Sequence, residues 1–236
     1  MNLPSIIFED QDIFVIDKPS GWISDKSNTS TNQPVIQKWI SENYKYETNT
    51  FEFRNGVVHR LDKETSGLLV IAKSKRAYIE LQRQFKERIV KKTYYALVHG
   101  KLNKNEGIID EPVGRLPWRR DRFGVIANGR DAVTEYNSIA HYKLQNDDYS
   151  LVELKPKTGR THQIRIHLKH LGFPIVSDEF YAGRKTSRSD RKWCARLFLH
   201  AGSISFLSPS SNKMVEFNSD LPSDLRNALE NLVKIT

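Results

Sequence analysis

The sequence predicts an α+β fold with a mixed, mostly antiparallel central sheet flanked by helices and loops. Three observations carry this expectation. Apolar, β-branched runs bounded by turn residues recur along the chain and read as strands. Apolar residues at helical spacing occupy a few separate segments. The two kinds of segment mix without the regular βαβ rhythm of a parallel sheet. The chain has 236 residues, 38% of them hydrophobic and 28% charged, enough to bury a core of its own.

In chain order, Ile6 to Ile16 reads as two short strands around the polar turn Glu9-Asp10-Gln11-Asp12, and Lys18-Pro19-Ser20-Gly21 as a turn. Ser24 to Asn32 is a polar loop by composition. Pro34 to Ile40 opens a helix with Val35, Ile36, Trp39 and Ile40 on one face. Val57-Val58 and Leu68 to Ile71 are apolar runs that lead into and out of a short polar segment. Ser74 is the expected N-cap of a helix to about Ile89, whose stripe is Ala77, Leu81, Phe85 and Ile89. Lys92 to Val98 is aromatic and β-branched and predicts a strand. Glu111 to Asn128, rich in Gly, Pro and Arg, reads as an irregular connection. Val133 to Tyr142 and Tyr149 to Lys155 follow as strands. Thr161 to Leu171 fits either period, and its length and the closing Gly172 favour a helix. Leu197 to Leu207 reads as a strand. Pro222-Ser223 opens a last helix carrying Leu225, Leu229 and Leu232.

Charge narrows the partners. The net charge is +9, and Lys155 to Arg196 holds eleven basic against three acidic side chains, a local +8. Arg83, Lys86, Arg88, Lys91 and Lys92 form a second basic cluster, opposed by Glu87. Such clustering is the footprint of a polyanion, against the bland alternative of a solvated basic face. Tyr94, Tyr95, Phe180, Tyr181 and Trp193 near the clusters tilt the reading toward nucleic acid, since bases stack on aromatic rings. Cys194 is the only cysteine, so no internal disulfide is possible and a cytoplasmic location is expected. No apolar run after Met1 suits a signal peptide or a membrane span.

The segment His59-Arg60-Leu61-Asp62-Lys63-Glu64-Thr65-Ser66-Gly67-Leu68 places the carboxylate of Asp62 on a connection between apolar runs, where rigid scaffolds often hold catalytic groups. Taken alone, Asp62 reads first as an aspartate that bonds its own turn. Arg165 reads either as a solvated arginine or as the cation that keeps a sequestered carboxylate ionised. His162, His167 and His170, even with His59 and His200, lack the spacing and companion ligands of a zinc site. There is no GxSxG, no GxGxxG and no P-loop, so neither a serine hydrolase nor a nucleotide cofactor is indicated.

His59-Arg60-Leu61-Asp62 followed by Thr65-Ser66-Gly67-Leu68 resembles the signature of the RluA family of RNA pseudouridine synthases. Lys92-Thr93-Tyr94-Tyr95-Ala96, Gly159 to His167 and Arg196 to Ala201 match further family blocks in order, and Asp17 to Gly21 resembles the usual opening. The resemblance spans roughly Ile6 to Phe206. It implies a pseudouridine-synthase-like catalytic domain, taken as one domain over 1–236, that isomerises uridine in rRNA or tRNA. By the resemblance Asp62 is the catalytic carboxylate, Tyr94 stacks on the target base, Arg165 pairs with Asp62, and Leu199 closes the pocket below the base. No metal, nucleotide or other cofactor is implied. The expected partner is RNA, with no membrane and a monomer as the default. RNA contacts are expected from His59, Arg60, Arg160, His162, Gln163, His167, Lys169, Arg184, Lys185 and Arg188. Reaching a uracil in a stem requires flipping it out, and Arg60 is the residue expected to fill the gap.

The chain departs from the family pattern at Pro174 to Gly183, where Ser177 stands in place of a glycine and Ala182 precedes Gly183. Arg184 to Lys192 reads as a mobile RNA-contacting loop. The short stretch before His59 leaves no room for the S4-like domain of many relatives, so RNA recognition is expected of the catalytic domain itself. The rival readings are an RNA-binding protein on the same fold that has lost catalysis, and a nucleic-acid hydrolase. The first would lack Asp62, Tyr94 or Arg165, and the second would need a metal-binding carboxylate cluster.

Overall fold

The computed structural model describes residues 2–25, 33–117 and 119–235. Its elements in chain order are β1 (Ser5–Glu9), β2 (Ile13–Lys18), α1 (Ile36–Asn43), β3 (Ser66–Ala72), α2 (Lys75–Lys86), β4 (Lys91–His99), β5 (Glu106–Asp110), β6 (Val113–Leu116), β7 (Arg119–Val125), β8 (Val133–Leu144), β9 (Asp147–Pro156), α3 (Gln163–His170), α4 (Arg184–Asp190), β10 (Leu199–Leu207), β11 (Met214–Asn218), α5 (Ser223–Glu230) and β12 (Val233–Lys234). This is the expected α+β class. The chain divides into two compact units, Met1–Lys92 with Ala201–Ser219, and Thr93–His200 with Asp220–Thr236. Among the described residues no helix is long and apolar enough to cross a membrane.

In the first unit β2 pairs antiparallel with β1 and with β3, and β10 pairs antiparallel with β11. The polar turn between β1 and β2 closes on Asp10, whose Oδ1 accepts from the N–H groups of Asp12 and Ile13. All seven residues of β3 are buried, as its unbroken apolar run requires. Its side chains Leu68, Val70 and Ala72 pack with Ile13, Val15, Ala77, Leu81, Ile204 and Phe206. Ser74 caps α2 by accepting from the Ala77 N–H. The helix stops three residues before Ile89, because Arg88 turns to φ +62. Its third buried position is Gln84, which bonds the N–H and the carbonyl of Leu207 and so acts as a strand partner. The expected lead-in strand at Val57-Val58 is a single bridge, Val57 to Ile71, since Gly56 turns the chain at φ +78 just before it.

In the second unit β9 pairs antiparallel with β4 and β8, and β8 also takes β5 and β12. The core gathers Ala96 to Val98, Val152, Leu154, Ile164, Leu168, Phe198 and Leu225. Two expectations are corrected here. The stretch taken as irregular, 111–128, contains the antiparallel hairpin β6–β7, with Gly114 opposite Gly124. Its glycines and arginines mask the alternation that marks a strand. The basic segment after Gly183 is a helix, α4, rather than a loop. Its buried residues are Ser187 and Asp190, so no apolar stripe announces it. Of the expected polar loop 24–32, residues 26–32 lie outside the described residues.

Candidate active site

Asp62 stands in the first unit, half-buried, in the connection that enters β3. The connection is tied down on both sides of the carboxylate. Leu61 exchanges two hydrogen bonds with Ser24, its N–H donating to Oγ at 3.0 Å and its carbonyl accepting from Oγ at 2.9 Å. Thr65 N–H donates to the Asp62 carbonyl. The Lys63 and Glu64 carbonyls accept from the turn after β2, from Gly21 N–H and Ser20 Oγ. Gly67 then lies at φ +114, and a Cβ there would stand 2.3 Å from the Ala201 carbonyl of β10. Only glycine lets the chain enter β3 at that approach.

Lys18, fully buried at the end of β2, holds the same turn from inside. Its Nζ donates to the carbonyls of Pro19, Trp22 and Lys63, at 3.1, 2.9 and 3.3 Å. Register places it opposite Gly67. Lys18→Met removes these charge-assisted donors and leaves the carbonyls short of a partner. Urea denaturation is expected to show a loss of about 3 kcal/mol with an unchanged slope.

His59 has a structural place in the unit. Val70 N–H donates to its Nε2 at 3.0 Å, and its ring packs on Phe85 with centroids 4.8 Å apart. An accepting Nε2 requires the neutral imidazole, with the proton on Nδ1. Burial, with the charges of Lys92 and Arg54 adding to it, pushes the pKa down to about 3. Of the expected RNA contacts, His59 is thus engaged within the fold through its ring. A folded-state pKa below the unfolded one gives stability that is complete above the unfolded value and is lost as pH falls through it. Lowering the pH from 7.5 to 5 is therefore expected to destabilise the protein by about 2 kcal/mol through His59. Thermal melts of wild type and His59→Gln at both pH values check this, and the variant's profile should be flatter. Arg60, next in the chain, is exposed and lies 3.7 Å from Asp25.

The second unit holds the other expected side chains. Tyr94 lies on β4 opposite Leu154, half-buried against the core. Leu199 opens β10 and is buried in the same core. Arg165 is on α3, only 4% exposed. Its Nε and Nη2 donate to the two oxygens of Asp178, both at 2.8 Å, a bidentate pair. Asp178 is fully buried and also accepts from the Phe180 and Tyr181 N–H groups. The guanidinium lies over the Tyr181 and Phe180 rings at 5.1 and 5.6 Å. Asp178, the partner of Arg165 Nε and Nη2, is a buried residue that sequence reasoning did not single out. The signal in the sequence is the acid that follows Ser177 in the departed motif.

Ser177 explains that departure. It lies at φ +61, the left-handed conformation for which a glycine suits the position, and it is fully buried. Its hydroxyl donates to the Cys194 carbonyl at 2.6 Å and its N–H to Asp190 Oδ2 at 2.8 Å. Cys194 itself is buried, with its thiol pushed up to about 11 by burial, and is no nucleophile at neutral pH.

The expected RNA-contacting residues of this unit divide in two. Gln163 and His167 are corrected, because they are buried and bonded within the fold. Gln163 bonds Thr158, the Arg160 N–H, the Val133 carbonyl and Thr134. His167 uses both ring nitrogens, on Thr134 Oγ1 and the Glu111 carbonyl, and burial lowers its pKa. The helical period could not reveal this, since six consecutive residues of α3, Gln163 to Leu168, are buried. Arg160 is half-buried, with Nε on the Asp131 carbonyl. His162 is half-buried among Phe123, Phe180 and Tyr181, with Nδ1 2.9 Å from the Tyr181 hydroxyl. Lys169, Arg184, Lys185 and Arg188 are exposed. Among the described residues no group of histidine, cysteine or carboxylate side chains is arranged to hold a metal.

A family model described as RNA pseudouridylate synthase matches residues 12–170. The uncharacterized RNA pseudouridine synthase YlyB of Bacillus subtilis (strain 168) is 36% identical over 229 residues, 97% of this chain and 73% of the relative. The ribosomal large subunit pseudouridine synthase D of Nitrosomonas europaea is 36% identical over 95% of this chain and 64% of its own length. Among solved structures, human RNA Pseudouridylate Synthase Domain Containing 1 superposes with a TM-score of 0.78 at 27% identity, covering 99% of this chain and 89% of that one.

Proposed function

Because the chain belongs to the RNA pseudouridylate synthase family, of the RluA type, and is accordingly an isomerase acting on RNA, we propose that Asp62 is its catalytic carboxylate and that its substrate is a uridine in structured rRNA or tRNA. In this reading the base leaves C1′, turns, and rejoins through C5, and the C5 proton is released. Asp62 initiates cleavage of the glycosidic bond, Tyr94 stacks on the base, and Leu199 closes the pocket. Arg165 supplies a fixed positive charge. The reaction is redox-neutral and calls for no cofactor.

The observation that carries the reading is the Asp62 connection. Its backbone is fixed from β2, from the turn after β2 and from Ser24, while Asp62 itself is only half-buried. A firmly held loop presenting a half-buried carboxylate is what an attack or a proton abstraction at a sugar requires. RNA affinity is assigned to the exposed cations Lys169, Arg184, Lys185 and Arg188, with Arg160 and His162 beside them.

The experiment is tritium release from RNA labelled at uridine C5, prepared from cells deleted for this chain, with rRNA and tRNA fractions assayed separately. Release from one fraction names the substrate class, and release from neither would overturn the proposal. Arg60 is assigned to the gap left by the flipped base. Its ion pair with Asp25 is long, at 3.7 Å, and the arginine side chain is largely exposed, so the pair restrains it little. Arg60→Ala is expected to slow the reaction about tenfold or more on a stem, where unstacking costs a few kcal/mol. The effect should shrink on an unpaired uridine, which rate comparison on the two RNAs checks.

A further inference from the structure

We propose that Asp190 is a positioning residue: it locks the basic helix α4 to the turn that holds Arg165, so that the RNA-docking helix and the Arg165–Asp178 pair keep one geometry. This rests on the proposed roles of α4 and Arg165.

The helix itself shows why Asp190 needs an explanation. An acid in the last turn faces the negative end of the helix dipole and is locally unfavourable. Ser187 and Asp190, three apart, form the buried face of α4, while Arg184, Lys185 and Arg188 are exposed. Asp190 is 2% exposed, so it lies inside the unit rather than on the RNA-facing side. A residue that breaks a local rule and is buried is held there by what it contacts.

Its contacts lead to Arg165 in two steps. Asp190 Oδ2 accepts from Ser177 N–H at 2.8 Å and lies 3.0 Å from His99 Nε2. The Ser177 N–H is buried, and its positive φ takes it out of any regular ladder, so the carboxylate is its acceptor. The Ser177 hydroxyl adds a second tie, to the Cys194 carbonyl just past α4. The next residue is Asp178, which takes both Arg165 donors and the Phe180 and Tyr181 N–H groups. Ser177, Asp178, Asp190 and Arg165 are all buried, so no water competes for these bonds. Moving α4 therefore moves the Ser177–Asp178 turn, and with it the guanidinium.

The test uses Asp190→Ala, and Asp190→Ser in case the alanine variant does not fold, since its hydroxyl is one bond too short for the Ser177 N–H. Asp190→Asn keeps a carbonyl oxygen for that bond and is the rescue. The first readout needs no activity: the Arg165 Nε–H resonance in 15N-arginine-labelled protein, assigned by its loss in Arg165→Lys. It should be protected from exchange in wild type and Asp190→Asn, and exchange at least tenfold faster in Asp190→Ala or Asp190→Ser. The second readout is tritium release from RNA of the deletion strain, measured well below each variant's melting temperature. Misplacing a catalytic group by about 1 Å costs on the order of 100-fold, so kcat should fall about 10- to 100-fold with KM changed less than about threefold. Asp190→Asn should restore kcat to within about threefold. An unchanged Arg165 resonance, or an altered one with unchanged kcat, overturns the proposal, as does an Asp190→Asn enzyme no better than Asp190→Ala. A wild type without activity on this RNA overturns the functional reading instead, and the resonance then decides the coupling alone.

Discussion

Asp62→Asn is expected to reduce turnover by about four orders of magnitude or more while leaving RNA affinity within about twofold. The amide has the shape of the carboxylate but neither its charge nor its basicity. It serves neither as a nucleophile toward C1′ nor as a base toward a sugar proton, so the prediction holds for both first steps. The loop should survive the substitution, because it is tied through the backbone of Leu61, Lys63, Glu64 and Thr65 and through Lys18. RNA affinity should survive because the contacts proposed for it are exposed lysines and arginines, which release counterions on binding. Tritium release under single-turnover conditions measures the first part, and filter binding of the same RNA the second. Full activity in Asp62→Asn would move the catalytic assignment elsewhere.

The second large effect concerns the Arg165–Asp178 pair. Arg165→Met is expected to destabilise the protein by about 3–5 kcal/mol, because it strands a fully buried carboxylate without its cation. Arg165→Lys should also lose stability, since a point charge cannot reproduce two parallel N–H donors. The informative experiment is the double variant Arg165→Met with Asp178→Asn. The asparagine oxygen still accepts from the Phe180 and Tyr181 N–H groups, and no buried charge remains. The double variant should be more stable than Arg165→Met alone, which chemical denaturation of the full cycle measures directly. Both Arg165 variants should lose activity even where they stay folded.

Several levels were legible without coordinates. The strand and helix patterns gave the α+β class, because a buried run such as Leu68 to Ile71 and a capped helix such as that after Ser74 obey local rules. Short motifs around Asp62, Tyr94 and Arg165 carried the family, because several blocks matching in order along one chain are specific. Periodicity failed where burial was polar. The strand role of Gln84, the helix α4 on Ser187 and Asp190, and the inward turn of His167 and Gln163 depend on hydrogen bonds to distant residues. The glycine-rich hairpin β6–β7 failed for a related reason, since its strand character comes from a partner strand rather than from its own composition.

For this protein, then, the sequence by itself determined the class of fold and the family, and it singled out Asp62 as the proposed carboxylate, because each is written in local pattern or in short motifs. The tertiary structure decided what surrounds them: that Lys18 braces the Asp62 connection, that His59 is neutral, and that the acid serving Arg165's Nε and Nη2 is Asp178. Those are statements about which buried polar groups find each other. A linear sequence leaves them open, because the partners are brought together only when the apolar core forms and excludes the water that would otherwise satisfy them.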